Sequence, residues 1–192
     1  MYLTMLCPAA TNLCKAMVIV CMVSITGVSQ AHDPALHGFN LTSFDPPFPA
    51  PPFDLAEFHS DGSEGQTSLE SLKGSYVLLN FWATWCPPCL AEMPTMEAAF
   101  QEFKDQGFKV VAISSDEGGA TDIAPFIEKL GVTFTILMDA DKKVSSVYGA
   151  HNLPLSFILN PAGEVIAGSE GERDWDSEEA LSVLEEMIAS QQ

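Results

Sequence analysis

Tyr76-Val77-Leu78-Leu79-Asn80-Phe81-Trp82-Ala83-Thr84-Trp85-Cys86-Pro87-Pro88-Cys89 is the stretch on which the fold turns. Tyr76 to Trp82 is apolar almost without a break, the mark of a central strand covered on both faces. Past the second cysteine, Leu90, Met93, Met96, Phe100 and Phe103 recur at three- and four-residue spacing, which predicts an amphipathic helix that Gly107 ends. Pro94 falls inside that helix and is expected to kink it. Two thiols therefore sit where a strand gives way to a helix.

That junction favours a thiolate. A helix starting at Pro87 directs unpaired N–H groups at Cys86, and its aligned peptide dipoles favour negative charge there. Proline suits the first turn because its missing N–H is not needed and its φ is already helical. Cys89 lies three residues on, on the same face and within reach of a disulfide. Cys86 is thus the expected attacking thiol, exposed at the helix tip, and Cys89 the more buried resolving thiol.

Other uses of a C-x-x-C pair fit less well. Zinc needs about four ligands; Cys7, Cys14 and Cys21 all lie in a segment expected to be removed, and His32, His37, His59 and His151 show no ligand spacing. No metal site and no cofactor is expected. Haem attachment wants a histidine after the second cysteine, where Leu90 stands. A structural disulfide across so short a loop adds little by chain entropy.

The 192 residues suit one domain with short extensions, and a net charge of −18 with no basic cluster beyond Lys142-Lys143 argues against nucleic acid and anionic lipid as partners. Residues 1–31 carry one charged side chain, Lys15, then the apolar run Ala16 to Val28 and the small-residue site Ser29-Gln30-Ala31. This reads as a secretory signal peptide or, left uncleaved, as a membrane anchor. Either way the expected location is the periplasm, where disulfides form and persist. Residues 32–52 are rich in proline and lack a sustained period, so they read as a linker or extended arm. Phe39, Phe44, Phe48 and Phe53 are candidates to dock it.

From residue 53 to 192 the pattern is that of a single domain. Phe53 to Phe58 with the turn residues Asp61-Gly62 predicts a hairpin before Leu69. Phe108 to Ser114 and Phe134 to Met138 predict further strands, with a helix between them capped by Thr121 or Asp122 and ended by Gly131. Asp139 to Tyr148 reads as a turn and short helix. Ser156 to Asn160, the turn Asn160-Pro161-Ala162-Gly163, and Glu164 to Ala167 predict a hairpin. A final helix follows Trp175, with Ala180, Leu181, Leu184, Met187 and Ile188 inward. The expected fold is an α/β sandwich, a mixed central sheet flanked by helices, with an N-terminal hairpin.

Phe81 to Cys89, followed by Glu92-Met93-Pro94 and by Pro154 before a late strand, resembles the exported thioredoxin-like proteins of the TlpA/ResA type from about Phe53 to the end. The resemblance implies a thioredoxin fold and thiol:disulfide exchange outside the cytoplasm. It also implies protein disulfides as substrates, in cytochrome c maturation or copper-centre assembly, and a membrane-embedded electron donor. It assigns Pro154 as a cis-proline that, with Leu153, presents backbone to a substrate strand. Glu92 becomes a carboxylate that relays the proton of Cys89, and Trp85 the aromatic beside the attacking sulfur. Read without the resemblance, Pro154 is an ordinary trans proline, Glu92 a solvated helix residue, and Trp85 a packing residue. The chain departs from its relatives in two places. Asn80 stands where cytoplasmic thioredoxins bury an aspartate, and Leu155 where many relatives have a threonine.

Two rivals come from other classes. One is a Cu(I)-handling chaperone using the same two thiolates, which soft sulfur ligands allow. The other is a redox-inactive binding module whose disulfide shapes a surface. A peroxidase lacks a separate peroxide-reactive cysteine.

Overall fold

The computed structural model of the chain describes residues 39–190, so the expected signal peptide lies outside the described residues. Eight strands form one sheet: β1 (Thr42–Pro49), β2 (Asp54–Glu57), β3 (Gln66–Ser68), β4 (Tyr76–Trp82), β5 (Phe108–Ser114), β6 (Thr135–Met138), β7 (Leu155–Leu159) and β8 (Glu164–Glu170), in the order β1-β8-β7-β4-β5-β6-β2-β3. Only β4–β5 and β5–β6 pair in parallel. The helices are α1 (Leu69–Leu72), α2 (Pro87–Phe103), α3 (Ala120–Leu130), α4 (Lys143–Val147) and α5 (Glu178–Ala189). This is the expected mixed sandwich, a thioredoxin-like fold with an N-terminal hairpin.

β4 has no solvent-facing side. Leu78 and Trp82 join the core layer that also holds Cys86, Cys89, Met93, Ile123 and Leu184, contributed by the cysteine loop, α2, α3 and α5. Val77, Leu79 and Phe81 join the opposite layer, with Leu69, Leu72 and Tyr148. Alternation along the strand therefore puts Asn80 in line with Leu78 and Trp82, facing the cysteine-bearing helix. On α2 itself the buried residues are Cys89, Glu92, Met93, Met96, Ala99 and Phe103; Leu90 and Phe100, expected inside, are only half-buried. The helix runs unbroken through Pro94.

Two expectations shift. The helix α3 is capped by Gly119 at φ 56°, not by a side chain. Asp122 instead turns its carboxylate back to accept the Gly118 N–H at 2.9 Å, because glycine alone takes the left-handed conformation there without strain. On α5, Val183 is the fully buried position and Leu181 only half-buried.

The proline-rich stretch differs most. From Thr42 to Pro49 it is an edge strand, antiparallel to β8 with Thr42 opposite Gly168 and Phe48 opposite Val165. Prolines are tolerated at an edge, where one side of the strand pairs with nothing. The Asp45–Pro46 bond is cis. Phe39, Leu41, Ala50 and Phe53 are buried, and Phe39 meets Trp175 edge-on with ring centroids 5.1 Å apart. The domain's core thus starts ahead of residue 42 rather than at 53, although Phe48 remains exposed.

Truncating Phe39 to alanine should therefore destabilise the fold by about 3–5 kcal/mol in urea denaturation. A loose tether would give no change.

Candidate active site

The loop Ala83–Trp85 carries the chain from β4 into α2, and an acid on the neighbouring strand's exit fixes it. Asp116, just past β5, is buried and accepts from the Thr84 N–H at 3.0 Å, from the Thr84 hydroxyl at 2.7 Å and from the Ser114 hydroxyl at 2.8 Å. The Ser115 N–H donates to Trp82 O at 3.0 Å, tying the two strand ends together. Sequence reasoning missed Asp116. Its signal was a Ser-Ser-Asp run at a strand exit, which reads as an ordinary turn.

Cys86 is the N-cap of α2 and is joined to Cys89 by a disulfide, with Cα atoms 5.3 Å apart. Pro87 and Pro88 fill the first two helical positions and bring no N–H. The Leu90 N–H closes the first turn on Cys86 O at 3.2 Å. Of the groups expected to face Cys86, a single one remains: the Cys89 N–H, donating to Cys86 Sγ at 3.3 Å. Cys86 also differs from expectation in exposure. It keeps 5 % of its surface against 0 % for Cys89, so the order is as expected but neither sulfur stands free. The capping geometry is the reason, since it turns Sγ inward onto the helix end. Trp85 next to it is 65 % exposed.

Glu92, one helical turn beyond Cys89, is 1 % exposed and not a solvated residue. Its Oε1 accepts from Asn80 Nδ2 at 2.7 Å and its Oε2 from the Arg173 N–H at 3.1 Å. Burial pushes its carboxyl up to about 7, against the opposing pull of those two hydrogen bonds. The Trp175 indole also favours the carboxylate, though its N–H stands outside hydrogen-bonding geometry.

The Leu153–Pro154 bond is cis. Leu155 pairs with Phe81, so Pro154 continues the β7 line towards Trp82, where the cysteine loop begins. The Pro154 carbonyl accepts from the Gly171 N–H at 2.9 Å, and proline has no N–H to give. The backbone left over is that of half-buried Leu153, which makes no hydrogen bond among the described residues. Leu153 bridges the two core layers. The larger surface clefts, of about 630 and 750 Å³, lie between the loop after β2 and α3, and no residue of this site lines them. Among the described residues no group of three His, Cys, Asp or Glu is placed to hold a metal ion.

Sheet, cis-proline and cysteine pair at a helix start together define a thioredoxin-like protein. The chain belongs to the AhpC/TSA family, whose model matches residues 48–167. It is 36 % identical over 116 residues to the thiol-disulfide oxidoreductase ResA of Oceanobacillus iheyensis, an alignment covering 60 % of each chain. It is 38 % identical over 114 residues to ResA of Bacillus subtilis, covering 59 % of this chain and 63 % of that one. The chain thus spans about three fifths of the length of the curated relatives it matches. Among solved structures, a Chlorobium tepidum protein described as a thiol:disulfide interchange protein DsbE superposes with a TM-score of 0.66 at 30 % identity, covering 74 % of this chain and 96 % of the other.

The Glu92 carboxyl has a consequence for stability. Unfolded, it ionises near its ordinary 4.5; folded, it keeps its proton to about 7. Between those values the folded state binds more proton, so stability falls as pH rises through that window and levels off above it. Glu92→Gln removes the dependence. Relative to the parent, its stability in urea should rise by about 3 kcal/mol between about pH 4 and about pH 8. A constant difference would mean Glu92 ionises normally.

Proposed function

We propose that this protein is an exported thiol:disulfide oxidoreductase that reduces disulfides in other proteins. The observation that carries the reading is the Cys86–Cys89 pair at the start of α2, with the Cys89 N–H directed at Cys86 Sγ. The family and the names of the relatives support it.

In the reduced protein the Cys86 thiolate attacks a substrate disulfide. A Cys86–substrate disulfide forms and one substrate thiolate leaves. Cys89 then gives its proton to the Glu92 carboxylate and attacks the Cys86 sulfur. The Cys86–Cys89 disulfide forms, and the second substrate sulfur departs as a thiolate that takes up a proton. Two electrons pass from the pair to the substrate. A membrane-embedded donor returns them.

The substrate strand lies along Leu153, whose N–H and C=O are uncommitted, while the cis Pro154 shapes the approach and Trp85 is the aromatic beside the attacking sulfur. Glu92, buried one helical turn beyond Cys89, is the acceptor assigned to the Cys89 proton, and a carboxyl pushed up to about 7 suits both giving and taking a proton. Cytochrome c maturation or copper-centre assembly is the setting that the resemblance to the TlpA/ResA type implies.

Cys89→Ser should accumulate substrates as mixed disulfides on Cys86, visible as high-mass bands that dithiothreitol collapses, and Cys86→Ser should accumulate none. Trapping by neither variant, or equally by both, would remove the exchange mechanism. Tight Cu(I) binding by the reduced pair in its place would favour the metal-handling rival.

A further inference from the structure

The register of β4, β7 and β8 sets Asn80 beside Ser156, and Ser156 beside Ser169. All three are buried, in a layer whose neighbouring row, Leu78, Ile158 and Ala167, is wholly apolar. This is a polar row crossing the sheet under Glu92. Asn80 Nδ2 donates to Glu92 Oε1 at 2.7 Å and to Ser156 Oγ at 3.0 Å. Its Oδ1 is buried and has no partner, and neither has Ser169 Oγ.

A buried amide that leaves its carbonyl unpaired has lost water there without replacement. Something must hold the amide in that orientation. An ionised carboxylate does, because it only accepts, and Asn80 can meet it only through Nδ2. Once Glu92 is protonated a second arrangement opens. A half-turn of the amide brings Oδ1 to the carboxylic O–H, and the Ser156 hydroxyl, able to donate or accept, changes from acceptor to donor.

We propose that Asn80 is a positioning residue for Glu92: its amide, turning together with the Ser156 hydroxyl, offers a hydrogen-bond partner to both protonation states of the carboxyl. Glu92 then exchanges the proton of the resolving step without being left unpaired in either state. The inference rests on the proton-relay reading of Glu92 given above. An aspartate at position 80 would set a second negative charge against Glu92, and an apolar residue would leave Oε1 without its donor.

Few other groups face this carboxyl. The segment after β8 contributes the Arg173 N–H, the Trp175 indole and the nearby charge of Glu172. The Arg173 guanidinium turns away, donating to Glu172 O and Asn40 O. β4 contributes Asn80, with the neutral Ser156 of β7 on its far side.

The test is the titration of the Glu92 side-chain carboxyl by carbon-13 NMR in the full oxidised chain, with Glu92→Gln identifying the signal. Asn80→Ala should move the midpoint up by about one pH unit, since of the two hydrogen bonds lost the one to the charged form is the stronger. Ser156→Ala should move it the same way by less. The pH profile of mixed-disulfide resolution should move with it. An unchanged midpoint in a folded Asn80→Ala protein overturns the proposal. Where that variant does not fold, Asn80→Asp keeps the shape: two carboxyls so close cannot both ionise, so a pair of widely split midpoints is expected, and a single midpoint unchanged from the parent overturns it. If Glu92→Gln resolves mixed disulfides as fast as the parent near pH 8, where the carboxyl of the parent is ionised, the relay reading fails, while the NMR midpoints still report on Asn80.

Discussion

A strand walled in on both sides must commit every residue to one layer or the other, and β4 is such a strand. Its parallel pairing with β5 and antiparallel pairing with β7 leave no edge to relax, and its end fixes where the cysteine loop begins. Phe81 and Trp82 face opposite layers, so the loop leaves the sheet at its midline. The helix that follows covers one layer only. The position of Cys86, the burial of Cys89 and the enclosure of Glu92 all follow from that single placement.

Enclosure is also what makes the carboxyl useful. On the surface Glu92 would ionise like any other glutamate. Between α2 and the sheet it loses water on every side, and two hydrogen bonds offset only part of that loss. The same balance explains the polar row beneath it, since side chains that share a dry layer with a titrating group must be able to serve it.

The parts of this arrangement differ in how legible they were. β4, the helix after the cysteines and the late hairpin were plain because each rests on a local period that burial enforces. Glu92 was not, because its enclosure comes from Asn80 and Arg173, 12 and 81 residues away in the chain; helical spacing alone places a glutamate on a face without saying what covers it. Asn80 was noticed only as a replacement, yet its alternation with Leu78 and Trp82 already set it on the layer of the cysteines. Asp116 was hidden by its resemblance to turn chemistry. The proline-rich segment looked unstructured because an edge strand pairing on one side needs no repeating pattern, and its docking depends on Trp175, far along the chain. The double proline was read correctly as a helix start, while its subtraction of two N–H donors was overlooked.

The composition of β1 has a bearing on what the molecule does with extended polypeptides. Pro46, Pro47 and Pro49 lie on the outermost strand and have no amide hydrogen to offer, and the opposite rim of the sheet, β3, is three residues long. Neither margin can template the addition of a foreign strand. Both rims of the sheet are thereby blunted against a further extended chain, and the sheet ends where its own strands end.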